Sequence, residues 1–186
     1  MSKSLNSKII IGIIILDLAW AAIAAIYDWE IFCQIPIYLW PFLVICPVFP
    51  ALLSLVWLQI LEEKPNNFLF AFSSIPSVVY LFAAIFYYPM WMVLNGFDWM
   101  TFGAIFWVMV YGAQGIYLLL RYSVKKSALF IVGLFLILSL LIQCWTRTAG
   151  SQDFTNFSSA NYFALFASVA LFVLLFSIIL SRSNKK

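Results

Sequence analysis

Residues Ile9–Tyr27 read IIIGIIILDLAWAAIAAIY, nineteen positions with a single charge, Asp17, near their middle. A bilayer core of about 30 Å needs about 20 apolar residues in a helix. The stretch therefore reads as a transmembrane helix. Lys3 and Lys8 precede it and Ala22-Ile23-Ala24 lies toward its end, a layout that resembles a secretory signal peptide. Signal peptides carry an apolar region of only about 7–15 residues. This run is longer and Asp17 interrupts it, so a retained span is expected.

The rest of the chain agrees. Its 186 residues are 66% hydrophobic and 9% charged, with a mean hydropathy of +1.05. Soluble domains are about 45–50% apolar and about 25% charged. Five further runs match the first: Pro41–Leu61, Phe68–Leu94, Trp99–Leu120, Ala128–Trp145 and Tyr162–Leu180. The six occupy about two thirds of the chain, which leaves little for an extramembrane domain. The expected fold is all-α: one polytopic transmembrane bundle of six helices over residues 1–186. A β-barrel is excluded, because the runs do not alternate and are twice too long.

Orientation follows from lysine and arginine bias. Six spans put both termini on one side. That side takes Lys3, Lys8, Lys64, Arg121, Lys125, Lys126, Arg182, Lys185 and Lys186, nine of the ten positive charges. Arg147 alone falls on the other, with Asp28, Glu30, Asp98 and Asp153. Both termini are expected in the cytoplasm and the protein in the cell membrane. Trp20, Tyr27, Trp29, Tyr38, Trp40, Tyr87, Tyr88, Trp91, Trp99, Trp145 and Tyr162 read as interfacial anchors.

Several chemistries are excluded by composition. The chain has no histidine, so it lacks imidazole metal ligands and Ser-His or Cys-His pairs. Three cysteines, Cys33, Cys46 and Cys144, cannot complete a four-Cys zinc or iron–sulfur site. Cys33 and Cys144 would pair only if the outside is oxidising; free thiols are the simpler expectation. Net charge is only +3, with no basic stripe for nucleic acid. No catalytic residue, metal or cofactor is expected. The bilayer is the expected partner.

Asp17 is the sharpest candidate. Of 17 charged residues it alone falls inside a span, where a carboxylate costs about 2.5 kcal/mol or more. It should face the bundle interior, with Ala21 and Ala25 on its face. It reads as a proton or cation site, or else as a hydrogen-bonded carboxyl joining helices. In the fourth span Tyr111, Gln114, Tyr117 and Arg121 share one helical face. They line a cytoplasm-facing cavity, or they are an anchor, an interfacial ring and a helix-joining amide. Gly103, Gly112 and Gly115 would let a neighbour approach closely.

The second run is the least helix-like. Pro36, Pro41, Pro47 and Pro50 fall within fifteen residues. With Pro41 in the first turn, Pro47 and Pro50 kink the helix. Alternatively Pro36–Pro47 forms a re-entrant segment beside an outer cavity. Pro41, Cys46, Pro47 and Pro50 mark this candidate outer site.

The run Pro36-Ile37-Tyr38-Leu39-Trp40-Pro41-Phe42, then Cys46-Pro47 and Leu52–Leu55, resembles the signature of the YpjA-like family, uncharacterised multi-pass membrane proteins of bacteria and archaea. Tyr27-Asp28-Trp29 and Tyr87-Tyr88-Pro89-Met90-Trp91 are similar to its layout. Ile45 stands where the family typically carries an acidic residue. The resemblance implies a multi-pass helical bundle and no reaction.

Small-solute or ion transport, or ligand binding within the bilayer, is the function expected. The alternative is a non-catalytic subunit packed against other membrane subunits. A lipid or quinone enzyme is least favoured, because a lone Asp17 cannot form an acid–base pair.

Overall fold

The structure, a computed structural model, describes residues 6–27, 45–64, 66–97, 99–146, 148–149 and 152–153, with Trp29, Cys33 and Pro36 as single positions. Within them lie five helices: α1 (Ser7–Tyr27), α2 (Ile45–Leu61), α3 (Asn67–Asn95), α4 (Trp99–Arg121) and α5 (Lys126–Thr146). Their bounds fall within four residues of the apolar runs. After α5 two short strands, β1 (Thr148–Ala149) and β2 (Gln152–Asp153), pair antiparallel. The sixth expected span, both chain ends, Pro41 and Arg147 lie outside the described residues.

Two described helices are long and apolar enough to cross a membrane. Ser7–Ile26 has a mean hydropathy of 2.7 and Phe102–Arg121 of 1.6. α3 is 29 residues long despite Pro76 and Pro89 inside it. Pro76 cannot donate to the Phe72 carbonyl. Nearby hydroxyls turn back onto their own helix: Ser73 Oγ donates to the Leu69 carbonyl at 2.9 Å, and Ser77 Oγ to the Ser73 carbonyl at 2.6 Å.

The described part of the proline segment is helical from Ile45, so Pro47 and Pro50 lie inside α2, while residues 37–44 lie outside the described residues. Pro47 is the third residue of the helix, where its missing N–H would have had no intrahelical partner. Pro50 lies deeper and removes one bond, to the Cys46 carbonyl.

The turns explain why the helices stack side by side. After α2, Lys64 N–H donates to the Gln59 carbonyl and Glu63 N–H to the Ile60 carbonyl. This is a Schellman closure, with Glu63 at φ 58° in the left-handed position usually given to glycine. Asn66 then caps α3 by accepting from the Phe68 and Leu69 N–H groups. After α3, Gly96 at φ 95° ends the helix and its N–H reaches the Met92 carbonyl. Asn67 ties the other end: its Nδ2 donates to the Ser123 carbonyl and its Oδ1 accepts from Lys125 N–H.

α3 is the central helix. From Phe70 to Leu81 nearly every described side chain is buried. α4 lies against one side of it and α5 against another. The α5 contact carries a buried hydrogen bond, Tyr80 Oη to Ser139 Oγ at 3.1 Å, and the Phe72–Phe135 edge contact at 4.5 Å. α1 packs chiefly on α2. Its buried positions, Ile10, Asp17, Ala21 and Ala24, make one narrow stripe. Ala25, expected beside Ala21, is only half-buried.

Gly112 and Gly115 behave as expected. A Cβ at Gly115 would lie 2.7 Å from the Ser74 carbonyl oxygen and 3.0 Å from Val78 Cγ2. One at Gly112 would fall on the Leu81 side chain. Gly103 differs: a Cβ there meets nothing within 4 Å among the described residues.

Candidate functional site

Asp17 is the eleventh residue of the 21-residue α1 and only 2% exposed. Its Oδ1 accepts a hydrogen bond from Gln114 Nε2 at 2.8 Å. Gln114 Oε1 in turn accepts from Trp57 Nε1 at 2.7 Å. Three helices thus meet in one chain of donors and acceptors: α2 through Trp57, α4 through Gln114 and α1 through Asp17. Asp17 Oδ2 is buried and has no hydrogen-bond partner among the described residues.

Rings surround this chain. Trp20, one turn after Asp17, stacks on Trp107 with centroids 4.7 Å apart and planes at 17°. Trp20 lies about 4.5 Å along the helix axis from Asp17, since three residues advance a helix by that much. Its Nε1 is buried without a hydrogen-bond partner among the described residues. Trp57 stacks on Tyr117 at 5.9 Å, and the Arg121 guanidinium lies 5.6 Å from the Tyr117 ring centroid. Such a cation–π contact holds the cation over the ring face.

Pairing across the helices fixes their directions. Asp17 meets Gln114, whereas Trp20 meets Trp107, so α1 and α4 run antiparallel. The short turns make α3 antiparallel to α2 and α4. Lys8, Lys64, Arg121, Lys125 and Lys126 therefore gather at one end of the described bundle. Trp29 and Trp99, both highly exposed, stand at the other.

Of the sequence candidates, Asp17 and Gln114 come together directly and Tyr117 joins through Trp57. Tyr111 is 2% exposed, one turn from Gln114 on the inner face of α4. Arg121 covers Tyr117, which fits an anchored ring at the helix end. Of the outer proline candidates, Pro47 and Pro50 are buried within α2. Cys46 has only its backbone described, and Pro41 lies outside. Cys33 is exposed and free, so it forms no bridge to Cys144.

Sequence reading missed Trp57, Trp20 and Trp107. No spacing rule connects Trp57 to Gln114 across 57 positions. Trp20 did carry a signal, since it shares the face of Asp17 at i+3. Among the described residues, no three His, Cys, Asp or Glu side chains assemble to hold a metal ion. No family model matches the chain, and no characterised protein or solved structure matches it. The YpjA-like resemblance rests on the quoted residues alone.

Proposed function

We propose that the chain is a multi-pass protein of the cell membrane, with six spans and both termini in the cytoplasm. Asp17 binds a proton or small cation whose movement drives transport of a small solute. The carrying observation is the Asp17 carboxyl itself. It is 2% exposed at the middle of a helix whose mean hydropathy is 2.7, and among the described residues only one of its oxygens is engaged, by Gln114. A carboxyl at that depth is a functional-site hypothesis by default.

Two further features support the reading. From Ile9 onward the outward side of α1 is apolar, with Ile9, Ile11, Ile15, Leu16, Leu18, Ile23 and Ile26 exposed. A helix that is hydrophobic all round is at home in lipid. The nine-to-one split of positive charge supports the cytoplasmic termini.

The test is reconstitution of the full chain into vesicles with a trapped pH-sensitive dye, under applied proton and sodium gradients. Ion movement is expected to need Asp17 and to fall to that of empty vesicles in Asp17→Asn. Unchanged movement in that variant would sink the ion-site reading. Sided labelling of Lys64 and Lys126 in whole cells should show both inside; labelling from outside would overturn the orientation.

A further inference from the structure

We infer that the site at Asp17 takes a proton rather than a metal cation, and that Trp57 sets this preference by holding the Gln114 amide in one orientation. The inference rests on the proposed role of Asp17 as an ion site and names the ion.

The argument starts from donor counting. An indole nitrogen can only donate. Trp57 Nε1 lies 2.7 Å from Gln114, so the atom facing it must be the amide oxygen. The Gln114 NH2 is thereby turned toward Asp17, 2.8 Å from Oδ1. Oδ1 can then only accept. The acid function is left to Oδ2, which is buried and unpartnered among the described residues.

A metal cation needs several oxygen ligands: hard cations take about six or more carbonyl, carboxylate or water oxygens. Among the described residues, the polar groups placed beside the carboxyl have the opposite polarity. Gln114 presents N–H groups, and the Trp20 indole one turn away carries another N–H. Turning the Gln114 oxygen toward Asp17 would bring two donors together at Trp57. Stacked Trp20 and Trp107 add rings rather than oxygens. A proton has no such requirement. It binds at Oδ2, forming one O–H bond and taking the carboxylate from −1 to neutral, while Oδ1 keeps its bond to Gln114. The other titratable groups carried by the helices around the site, cations aside, are Tyr27 of α1, Cys46 of α2, Tyr80, Tyr87 and Tyr88 of α3, and Tyr111 and Tyr117 of α4. The described cations, Lys8, Lys64, Arg121, Lys125 and Lys126, lie at the helix ends.

The experiment is infrared spectroscopy of the full-length protein in phosphatidylcholine vesicles, with protons and sodium as the probes. The protonated-carboxyl stretch that Asp17→Asn removes is followed against pH, in choline chloride and in sodium chloride. The expected result is a band that titrates with pH and is the same in both salts. A band that sodium abolishes at fixed pH would overturn the proton preference and leave the cation site standing. A band that never titrates while the protein stays folded would remove both. Trp57→Phe keeps the carboxyl and frees the amide to turn. The Asp17 band should then shift and become sensitive to sodium; a band identical to the parent's would overturn the role given to Trp57. This variant also serves if Asp17→Asn fails to fold.

Discussion

Helix α4 meets its neighbours in two different ways. Toward α3 it presents Gly112 and Gly115, and the contact is made by backbone against Ser74, Val78 and Leu81. Ser73 and Ser77 spend their hydroxyls on their own helix, while the Ser74 hydroxyl is buried with no hydrogen-bond partner among the described residues. Toward α1 and α2 it presents Gln114, Trp107 and Tyr117, and the contact is made by long side chains, hydrogen bonds and stacked rings. The first contact depends on the absence of side-chain volume. The second depends on the identity of particular polar atoms. Stability should respond mostly to one and ion binding mostly to the other.

The strongest test is to add volume at the glycines. Gly115→Ala places a methyl against the Ser74 carbonyl, a backbone atom that cannot swing aside. Gly112→Leu drives a side chain into Leu81. Overpacking of this kind costs about 1–3 kcal/mol and at times more. A clear fall in unfolding temperature in detergent is expected. Gly103→Ala, whose Cβ meets nothing within 4 Å among the described residues, should leave it unchanged. Equal losses at all three positions would erase the distinction.

Next comes the polar side. Gln114→Leu leaves both Trp57 Nε1 and Asp17 Oδ1 buried without their partner. The expected loss is about 1–3 kcal/mol, the desolvation penalty of unsatisfied groups, with ion binding at Asp17 perturbed as well. Asp17→Asn should cost far less stability than Gln114→Leu, because its amide oxygen still accepts from Gln114. Comparable unfolding temperatures for the two variants would argue that Asp17 is chiefly structural.

Smaller effects sharpen the comparison further. Tyr80→Phe removes the hydrogen bond to Ser139, a loss of about 0.6 kcal/mol by the average for bonds between membrane helices. It should not change ion movement. Glu63→Gly relieves the left-handed turn after α2, with a gain of up to about 1 kcal/mol from the removed Cβ strain. A loss on that substitution would mean that the Glu63 side chain itself holds the turn.

Most of the described architecture was legible in the chain. The first run and α1 differ by two residues at the start, and the fourth run and α4 by one at the end. Gly112 and Gly115 were legible as close-approach positions; Gly103 has the same chemistry but, among the described residues, no neighbour within 4 Å of a Cβ. The start of α2 was less legible, because prolines in a first turn and in a loop obey the same local preferences. Asp17 and Gln114 were both singled out, each by its own helix. Their partnership was not, and neither was Trp57.

By itself the sequence determined where the apolar runs lie and that Asp17 is the only charge inside one. Hydropathy is summed over neighbours in the chain, so about twenty residues suffice to read it. Only the tertiary structure decided what Asp17 touches. Gln114 is 97 positions away in sequence, and which amide atom it presents depends on an indole from a third helix. Hydrogen-bond direction is set by the donor on the far side, and that is information no single stretch of chain contains.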